Sequence, residues 1–159
     1  MTNRIRRLMP TDHDAVIEVY REAVLNSTGA LYTPAQQSAW ASQAEQLRPA
    51  LRRGRGWLCE HPGSHTNTIE AFALRDPEDR VALLYCRPRS QRQGHARRLL
   101  QTVEAEARRE GCRTLRTEAS WLSVQLFVAE GWQISWQEEL QIAAVHFHRY
   151  RLHKRLDTD

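Results

Sequence analysis

The sequence predicts an α/β fold in which about seven strands form a sheet that is flanked by about four helices. Two helical patterns come first, and strand and helix patterns alternate after them. A continuous apolar run at residues 81–86 predicts a buried strand. The segment that follows it carries apolar residues at helical spacing. No repeat, linker or low-complexity tract interrupts this order, so we expect a single domain over residues 1–159.

The composition places the chain among ordinary globular proteins. Of its 159 residues, 41% are hydrophobic and 26% are charged, which is neither a disordered nor a membrane composition. No apolar run is long enough to cross a bilayer, so no membrane association is expected. The first ten residues lack the apolar core of a signal peptide, and we therefore expect a cytoplasmic protein.

Charge and cysteine usage exclude two further classes. The net charge is +4, but the arginines are dispersed along the chain, which predicts a solvated surface and no nucleic-acid partner. Cys59, Cys86 and Cys112 lie far apart, so they predict neither a disulfide framework nor a zinc site. No metal is expected. The sequence leaves a homodimer open.

Strand patterns occur at seven places. The first, at residues 4–8, is an edge strand, and a turn at residues 76–79 joins two strands of a hairpin. Residues 52–56 are expected to form a turn and residues 61–67 a loop, and the last two strands are expected to be joined through Gln141. The predicted strands are residues 4–8, 57–60, 68–74, 81–86, 114–118, 133–138 and 144–153.

Capping patterns mark the first two helices. Thr11 and Asp14 form a capping-box pattern, and the helix that follows is expected to break at residues 26–29. A stronger pattern begins the second helix, which should cover residues 35–47: Thr33 as N-cap, Pro34 at the first helical position and Gln36 closing the box.

Glycines end the two later helices. The third helix places Ala96, Leu99, Leu100, Val103 and Ala107 on one face, and Gly111 stands where a C-cap belongs. A short fourth helix should span residues 120–130 and end at Gly131.

The connection between the buried strand and the third helix suits a phosphate group. A helix start offers free main-chain N–H groups and a partial positive charge. Gly94 leaves the main chain accessible, Ala96 keeps the next turn narrow, and Arg97 and Arg98 add charged donors. The alternative is a plain strand–helix connection with a chance glycine and solvated arginines. The pattern is neither a Walker loop nor the three-glycine dinucleotide pattern.

The same stretch resembles motif A of the GNAT superfamily, in which V-x-P precedes R/Q-x-x-G-x-G/A. This chain has Cys86-Arg87-Pro88 and then Gln91-Arg92-Gln93-Gly94-His95-Ala96. The resemblance continues through Glu118-Ala119-Ser120 and Phe127-Val128-Ala129-Glu130-Gly131-Trp132. The run Tyr32-Thr33-Pro34-Ala35-Gln36, with Trp40, is similar to a bacterial subgroup that carries Tyr-Ser/Thr-Pro-x-Gln before a Trp, and residues 149–154 resemble its closing strand.

The resemblance implies an acetyl-CoA-dependent N-acetyltransferase with a mixed, splayed sheet. Acetyl-CoA would lie between the strand ending at Cys86 and the strand ending at Glu118. Main-chain groups of residues 85–87 would pair with the pantetheine arm, and amides of residues 93–98 would bind the pyrophosphate. Ser120 replaces an Asn of many members. The implied cofactor-binding residues are Tyr85, Cys86, Arg87, Gln91, Arg92, Gln93, Gly94, His95, Ala96, Arg97, Ser120, Ser123 and Phe127.

The catalytic groups depart from the family pattern. Phe127 stands where many members have a Tyr that donates a proton, and the strand at residues 81–86 has no carboxylate. The candidates are therefore Glu118 as base and Tyr85 or Tyr150 as acid, with packed or solvated structural roles as the alternatives. Direct attack by an amine of a small molecule or peptide is expected, and acetylation of Cys86 is the covalent alternative. A catalytically silent acyl-CoA-binding module is the alternative function.

Overall fold

Seven strands form one open, mixed sheet in the computed structural model, which describes residues 2–27 and 31–157. Their order across the sheet is β1-β2-β3-β4-β5-β7-β6. The predicted edge position of the first strand is therefore confirmed, and β6 forms the opposite edge. The strands are β1 Arg4–Arg7, β2 Arg55–His61, β3 Thr68–Arg75, β4 Arg80–Cys86, β5 Thr114–Ala119, β6 Gln133–Ile142 and β7 Val145–Arg155.

Within the part of the chain that the structure describes, five α-helices accompany the sheet: α1 His13–Ser27, α2 Pro34–Ala41, α3 Arg48–Arg53, α4 His95–Arg109 and α5 Val124–Ala129. Short 3-10 helices cover Pro10–Asp12, Ala44–Leu47 and Pro88–Ser90. Within the described ranges, no helix has the length and apolar character needed to cross a membrane.

The two faces of the sheet carry separate cores because alternate strand residues point to opposite sides. Trp57 and Cys59 of β2 pack with the apolar face of α4, whereas Leu58 between them packs with α1. The face predicted for the third helix is confirmed: Leu99, Leu100, Val103 and Ala107 are all fully buried, and Ala96 is half-buried. Helices α1 and α4 therefore cover opposite faces of the sheet.

The sheet splays at its centre. Strands β4 and β5 are parallel, and their pairing covers only Arg80 with Arg116 and Val81 with Thr117. The Thr117 hydroxyl donates to the Val81 carbonyl at 2.7 Å and so adds a side-chain hydrogen bond to this short pairing. All other neighbours in the sheet are antiparallel. Beyond Val81 the two strands separate, and a cleft opens toward their carboxyl ends.

The predicted caps have different outcomes. Thr33 accepts from the Gln36 main-chain N–H, and the Gln36 side chain accepts from the Thr33 N–H, so this capping box is confirmed. Gly111 adopts a left-handed conformation after α4, with the paired hydrogen bonds of a Schellman ending. The box at Thr11 is wrong, because Asp12 caps the Met9 N–H while it pairs with Arg6.

Several predicted boundaries are also wrong. The helix expected over residues 35–47 ends at Ala41, and α3 occupies part of the expected turn at residues 52–56. The expected helix over residues 120–130 shortens to α5. Gln141 lies inside β6 opposite His146, and the hairpin turn is Ala143-Ala144, both with positive φ. The expected break after α1 falls partly on residues 28–30, outside the described residues.

Candidate active site

A cavity of about 830 Å³ occupies the cleft between β4 and β5. Its walls are the diverging ends of these strands, the start of α4, and α5. Tyr32, Trp40 and Phe147 close the side away from α4. The cavity exists because β4 and β5 pair over only two residues each and then leave a gap that no neighbouring strand fills.

Main-chain groups of β4 face this gap at alternate residues. The Arg87 N–H donates to the Glu70 carbonyl at 2.8 Å, so this residue turns toward β3. Because antiparallel pairing alternates, Tyr85 also turns its main-chain groups toward β3, and Cys86 and Leu84 turn theirs toward the cleft. Within the predicted stretch 85–87, only Cys86 is thus oriented for a strand-like contact. Leu84 joins it, and sequence reasoning missed that residue because register is a tertiary property.

The Arg87 side chain is committed elsewhere. Its Nε donates to the Ile69 carbonyl at 2.7 Å, and its guanidinium forms an ion pair with Glu22 of α1. Arg87 was predicted to contact the cofactor, but these contacts direct it away from the cavity. It instead ties the end of β4 to α1.

The start of α4 has the geometry of an anion site. Gly94 has a φ of +86°, and a Cβ added to it would meet nothing within 4 Å. The first helical hydrogen bond runs from the Arg98 N–H to the Gly94 carbonyl at 3.0 Å. The N–H groups of His95, Ala96 and Arg97 come before that bond, at the positive end of the helix dipole. Open space in front of such amides is what a phosphate group requires.

The side chains around this helix start have mixed orientations. Gln91, Arg92, Gly94, His95, Ala96 and Arg97 line the cavity. Arg92 is exposed and has a φ of +63°. The Gln93 side-chain amide donates to the Arg89 carbonyl at 3.4 Å, and Arg97 Nε forms an ion pair with Glu130 Oε1 at 2.6 Å.

His95 is oriented inward. Only 5% of it is exposed, its Nδ1 lies 3.5 Å from the Cys59 Sγ, and its Nε2 lies 3.1 Å from the Asn3 amide. Burial lowers the pKa of its imidazole. The resemblance implies a cofactor contact for His95, but its ring is turned toward Cys59 and Asn3. What His95 offers to a ligand is its main-chain N–H.

A buried carboxylate holds the loop before α4. Glu70 of β3 accepts from Arg89 Nη2 at 3.1 Å and from the Ser90 hydroxyl. Burial alone would raise the pKa of Glu70. The hydrogen bonds from Arg89 and Ser90 have the opposite and larger effect, so the pKa of Glu70 lies below its ordinary value. Sequence reasoning missed Glu70. The available signal was a lone carboxylate inside an otherwise apolar strand.

The opposite wall comes from the end of β5 and from α5. The Ser120 hydroxyl lies 3.3 Å from the Ser123 hydroxyl and accepts from the Leu122 N–H at 3.2 Å. Phe127 is 2% exposed, and its ring packs edge-on against Trp132 at 5.0 Å between centroids. All three predicted residues of this wall, Ser120, Ser123 and Phe127, line the cavity.

Of the three candidate catalytic side chains, the structure places two in the cavity lining. Glu118 lines it, and its carboxylate accepts from Arg80 Nε at 2.9 Å and from Arg151 Nη1 at 3.1 Å. These contacts resemble a structural ion pair more than a free base. Tyr150 lies outside the set of described residues that line the cavity, and its ring packs against His148 at 5.6 Å.

Tyr85 lines the cavity within an aromatic cluster. Its ring lies 4.8 Å from Tyr20 and 6.0 Å from Phe72, between centroids. Burial raises the pKa of Tyr85 to about 12, so its phenol stays protonated at neutral pH. Burial likewise raises the pKa of the Cys86 thiol to about 12. A protonated thiol is a poor nucleophile, which disfavours the covalent route through Cys86.

The parallel strands β4 and β5 diverge, and a helix that begins after a glycine stands at the mouth of the gap between them, which is a geometry that suits a long anionic ligand. A protein-family model described as "Acetyltransferase (GNAT) domain" matches residues 32–154. The chain therefore belongs to the GNAT acetyltransferase family, and it is an acyltransferase. The predicted enzyme class and its cosubstrate, acetyl-CoA, are confirmed by this assignment.

Solved structures share the whole fold at low sequence identity. A GCN5-related N-acetyltransferase of Rhodopseudomonas palustris matches with a TM-score of 0.89 and 20% identity, over 98% of this chain and 97% of that chain. PaiA N-acetyltransferase of Thermoplasma acidophilum, solved with coenzyme A, has a TM-score of 0.73 and 17% identity, over 98% and 99%.

A third match is YncA of Salmonella typhimurium, solved with acetyl-CoA. It has a TM-score of 0.68 and 20% identity, over 100% of this chain and 96% of that chain. No curated protein sequence matches this chain significantly. At these identities the structural likeness confirms the predicted α/β fold with its mixed, splayed sheet.

Proposed function

We propose that this protein transfers an acetyl group from acetyl-CoA to a primary amine of a small molecule or peptide by direct attack. The observation that carries this proposal is the continuity of one cavity. It runs from the open space at Gly94, past the ends of β4 and β5, to the side that Tyr32 closes. Such a cavity can hold a long cofactor at one end and an acceptor at the other.

The cofactor residues follow from the orientation of each group. The N–H groups at the start of α4, from His95 to Arg97, would bind the pyrophosphate, with the exposed Arg92 beside them. Gln91 and Gln93 would border the same site. The main-chain groups of Leu84 and the Cys86 carbonyl would pair with the pantetheine arm, because they face the cleft without a neighbouring strand.

The opposite wall would complete the cofactor site. Ser120 and Ser123 supply hydroxyls along it, and Phe127 supplies an apolar surface. These three residues come from the end of β5 and from α5, so they would contact the pantetheine arm from the side across from β4.

The reaction needs one bond to form and one to break. The amine nitrogen bonds to the thioester carbonyl carbon and loses a proton, and the carbon–sulfur bond breaks to leave a thiolate that takes a proton. The Cys86 N–H is the donor we assign to the developing oxyanion. Tyr85 and Tyr32 are protonated phenols in the cavity lining, and either can supply the proton of the thiolate. Glu118 or water would take the proton of the amine.

Two measurements test this function. Acetyl-CoA should raise the melting temperature at low salt, because a ligand bound only by the folded state stabilises it by about 2.7 kcal/mol at a hundred times its Kd. Thiol release from acetyl-CoA should then appear with some members of an amine panel. A melting curve that millimolar acetyl-CoA does not move would overturn the cofactor site. Binding without thiol release would instead identify a silent acyl-CoA-binding module.

The remaining expectations stay predictions. They are a single acetyltransferase domain over residues 1–159, a cytoplasmic location and the homodimer that the sequence leaves open. Size-exclusion chromatography with light scattering measures the last of these directly.

A further inference from the structure

We propose that the acceptor is a primary monoamine with a small apolar body, seated in the chamber, by which we mean the part of the cavity that Tyr32, Trp40 and Phe147 close on one side. This inference rests on the proposed acetyl transfer to an amine and names the class of amine. It excludes polyamines and other acceptors with several ammonium groups.

One wall of the chamber is built from packed aromatic side chains of distant segments. The Tyr32 ring lies 5.2 Å from that of Trp40 and 6.2 Å from that of Phe147, and Trp40 and Phe147 are also 6.2 Å apart, between centroids. Leu140 and Ile142, near the tip of the β6–β7 hairpin, pack against this group and line the same cavity. An apolar body placed here would exchange water for carbon contacts, at about 25 cal/mol per Å² of buried apolar surface.

The chamber adjoins the reacting end of the cofactor cleft. Trp40 lies 6.4 Å from Tyr85, which directly precedes Cys86 at the end of β4. On the other wall, the Tyr32 hydroxyl contacts the Trp121 N–H, one residue after Ser120. An amine on a short apolar body in the chamber would therefore point between the ends of β4 and β5, where the thioester is proposed to lie.

The charges of the cavity select against polycations. Among the described residues that line it, Glu118 is the single carboxylate, and Arg80 and Arg151 already pair with it. Four arginines line the same cavity: Arg80, Arg92, Arg97 and Arg149. A second ammonium group would enter a partly desolvated site without an unpaired carboxylate to receive it, which is costly. A monoamine avoids this cost because its one amino group must lose its proton to attack.

The test uses two matched glutamate variants on β6. Leu140 is half-buried at the chamber, whereas Ile134 lies on the same strand, is 48% exposed and does not belong to the cavity lining among the described residues. Leu140→Glu therefore puts a carboxylate in the chamber, and Ile134→Glu makes the same chemical change outside it. Both positions are accessible enough for a charged side chain to reach water, and circular dichroism verifies folding.

The probes are 2-phenylethylamine and spermidine. For the parent protein, kcat/KM for 2-phenylethylamine should exceed that for spermidine by about tenfold or more. Leu140→Glu should lower this ratio by about tenfold, and Ile134→Glu should leave it unchanged. A parent protein that prefers spermidine overturns the inference, and so does a ratio that moves equally in the two variants.

Calorimetry separates the inference from the proposed function. Each amine is titrated into the parent protein and both variants in the presence of coenzyme A, where no turnover occurs. Tighter binding of 2-phenylethylamine, weakened by Leu140→Glu alone, supports the chamber even if no thiol is ever released from acetyl-CoA. In that case the transfer reaction fails and the acceptor site stands. If neither amine binds, or spermidine binds more tightly, the acceptor class is wrong whatever the turnover.

Discussion

The hydroxyl of Tyr32 accepts a hydrogen bond from the main-chain N–H of Trp121 at 3.0 Å. Tyr32 precedes α2, and Trp121 follows β5, so this contact joins the front of the molecule to the turn that holds Ser120. Burial raises the pKa of Tyr32 although the Trp121 N–H and the Ser120 hydroxyl also contact its phenol, which therefore remains protonated at neutral pH. Phe127 has no hydroxyl with which to protonate the thiolate of coenzyme A. We therefore count Tyr32, beside Tyr85, as a second candidate proton donor in the cavity.

Tyr32→Phe should lower kcat while it leaves the affinity for acetyl-CoA nearly unchanged. The variant leaves the Trp121 N–H without its acceptor, at about 1 kcal/mol of stability, and removes a proton donor from the cavity. Steady-state kinetics and calorimetry measure the two effects separately. Tyr20→Phe is the matched control, because its hydroxyl donates to the Trp40 carbonyl at 2.7 Å from outside the described cavity lining. Equal losses of kcat in both variants would show that Tyr32 acts through the fold alone.

Cys86→Ala should retain most of the transferase activity. The thiol is protonated at neutral pH because burial raises its pKa to about 12, so direct attack by the amine does not involve it. The main-chain N–H assigned to the oxyanion is unchanged by the substitution. Turnover of the variant and intact mass of the parent after incubation with acetyl-CoA provide the measurement. An acetylated Cys86 in the parent together with an inactive, folded variant would establish the covalent route.

Glu70→Gln should make the free energy of unfolding less dependent on pH at acidic pH. The folded-state pKa of Glu70 lies below its ordinary value of 4.5, so its contribution is present above about pH 4.5 and is lost as the pH falls through the folded value. The parent and the variant should therefore differ most in free energy of unfolding near pH 7 and converge as the pH falls below 4.5. Urea unfolding at both pH values measures this, with Glu139→Gln as an exposed control. A constant difference would show that charge on Glu70 does not matter.

Local chemistry made part of the fold readable from the sequence. Thr33, Pro34 and Gln36 each have a side-chain reason to begin a helix, and Gly111 has a backbone reason to end one. These signals act over a few residues, and the structure confirms them. The apolar spacing of α4 is likewise a local pattern, and it correctly predicted which face of that helix is buried.

The sequence did not predict the conformation of several groups at the turns and around the cleft. The turn at Ala143-Ala144 has two positive φ values without the Gly or Asn that normally predicts them. Arg87 turns away from the cleft because of Glu22 and Ile69, and His95 turns inward because of Cys59. For Arg87 and His95, a contact from another element overrides the local expectation. The predicted cofactor loop lies at the cavity, whereas the orientation of its side chains required the tertiary structure.

Gly94→Glu should abolish acetyl-CoA binding while the protein remains folded. A side chain at Gly94 would enter the open space in front of the first amides of α4, and its carboxylate would repel the phosphates there. The substitution also has a conformational cost, because φ at Gly94 is +86° and a residue with a Cβ is strained there by about 1 kcal/mol. A loss of stability is therefore part of the expected result and requires a control with the same strain.

Gly111→Glu is that control, because it lies at the other end of the same helix. Its φ is +83°, and a Cβ added there also meets nothing within 4 Å. Both variants carry the same backbone strain, and Gly111→Glu should lose somewhat more stability in thermal melts, because its carboxylate lies at the negative end of the helix dipole and that of Gly94→Glu lies at the positive end. Calorimetric titration of acetyl-CoA should then show binding to the parent and to Gly111→Glu but none to Gly94→Glu. If Gly94→Glu binds as tightly as Gly111→Glu, the start of α4 is not the pyrophosphate site, and the cofactor assignment built on it is wrong.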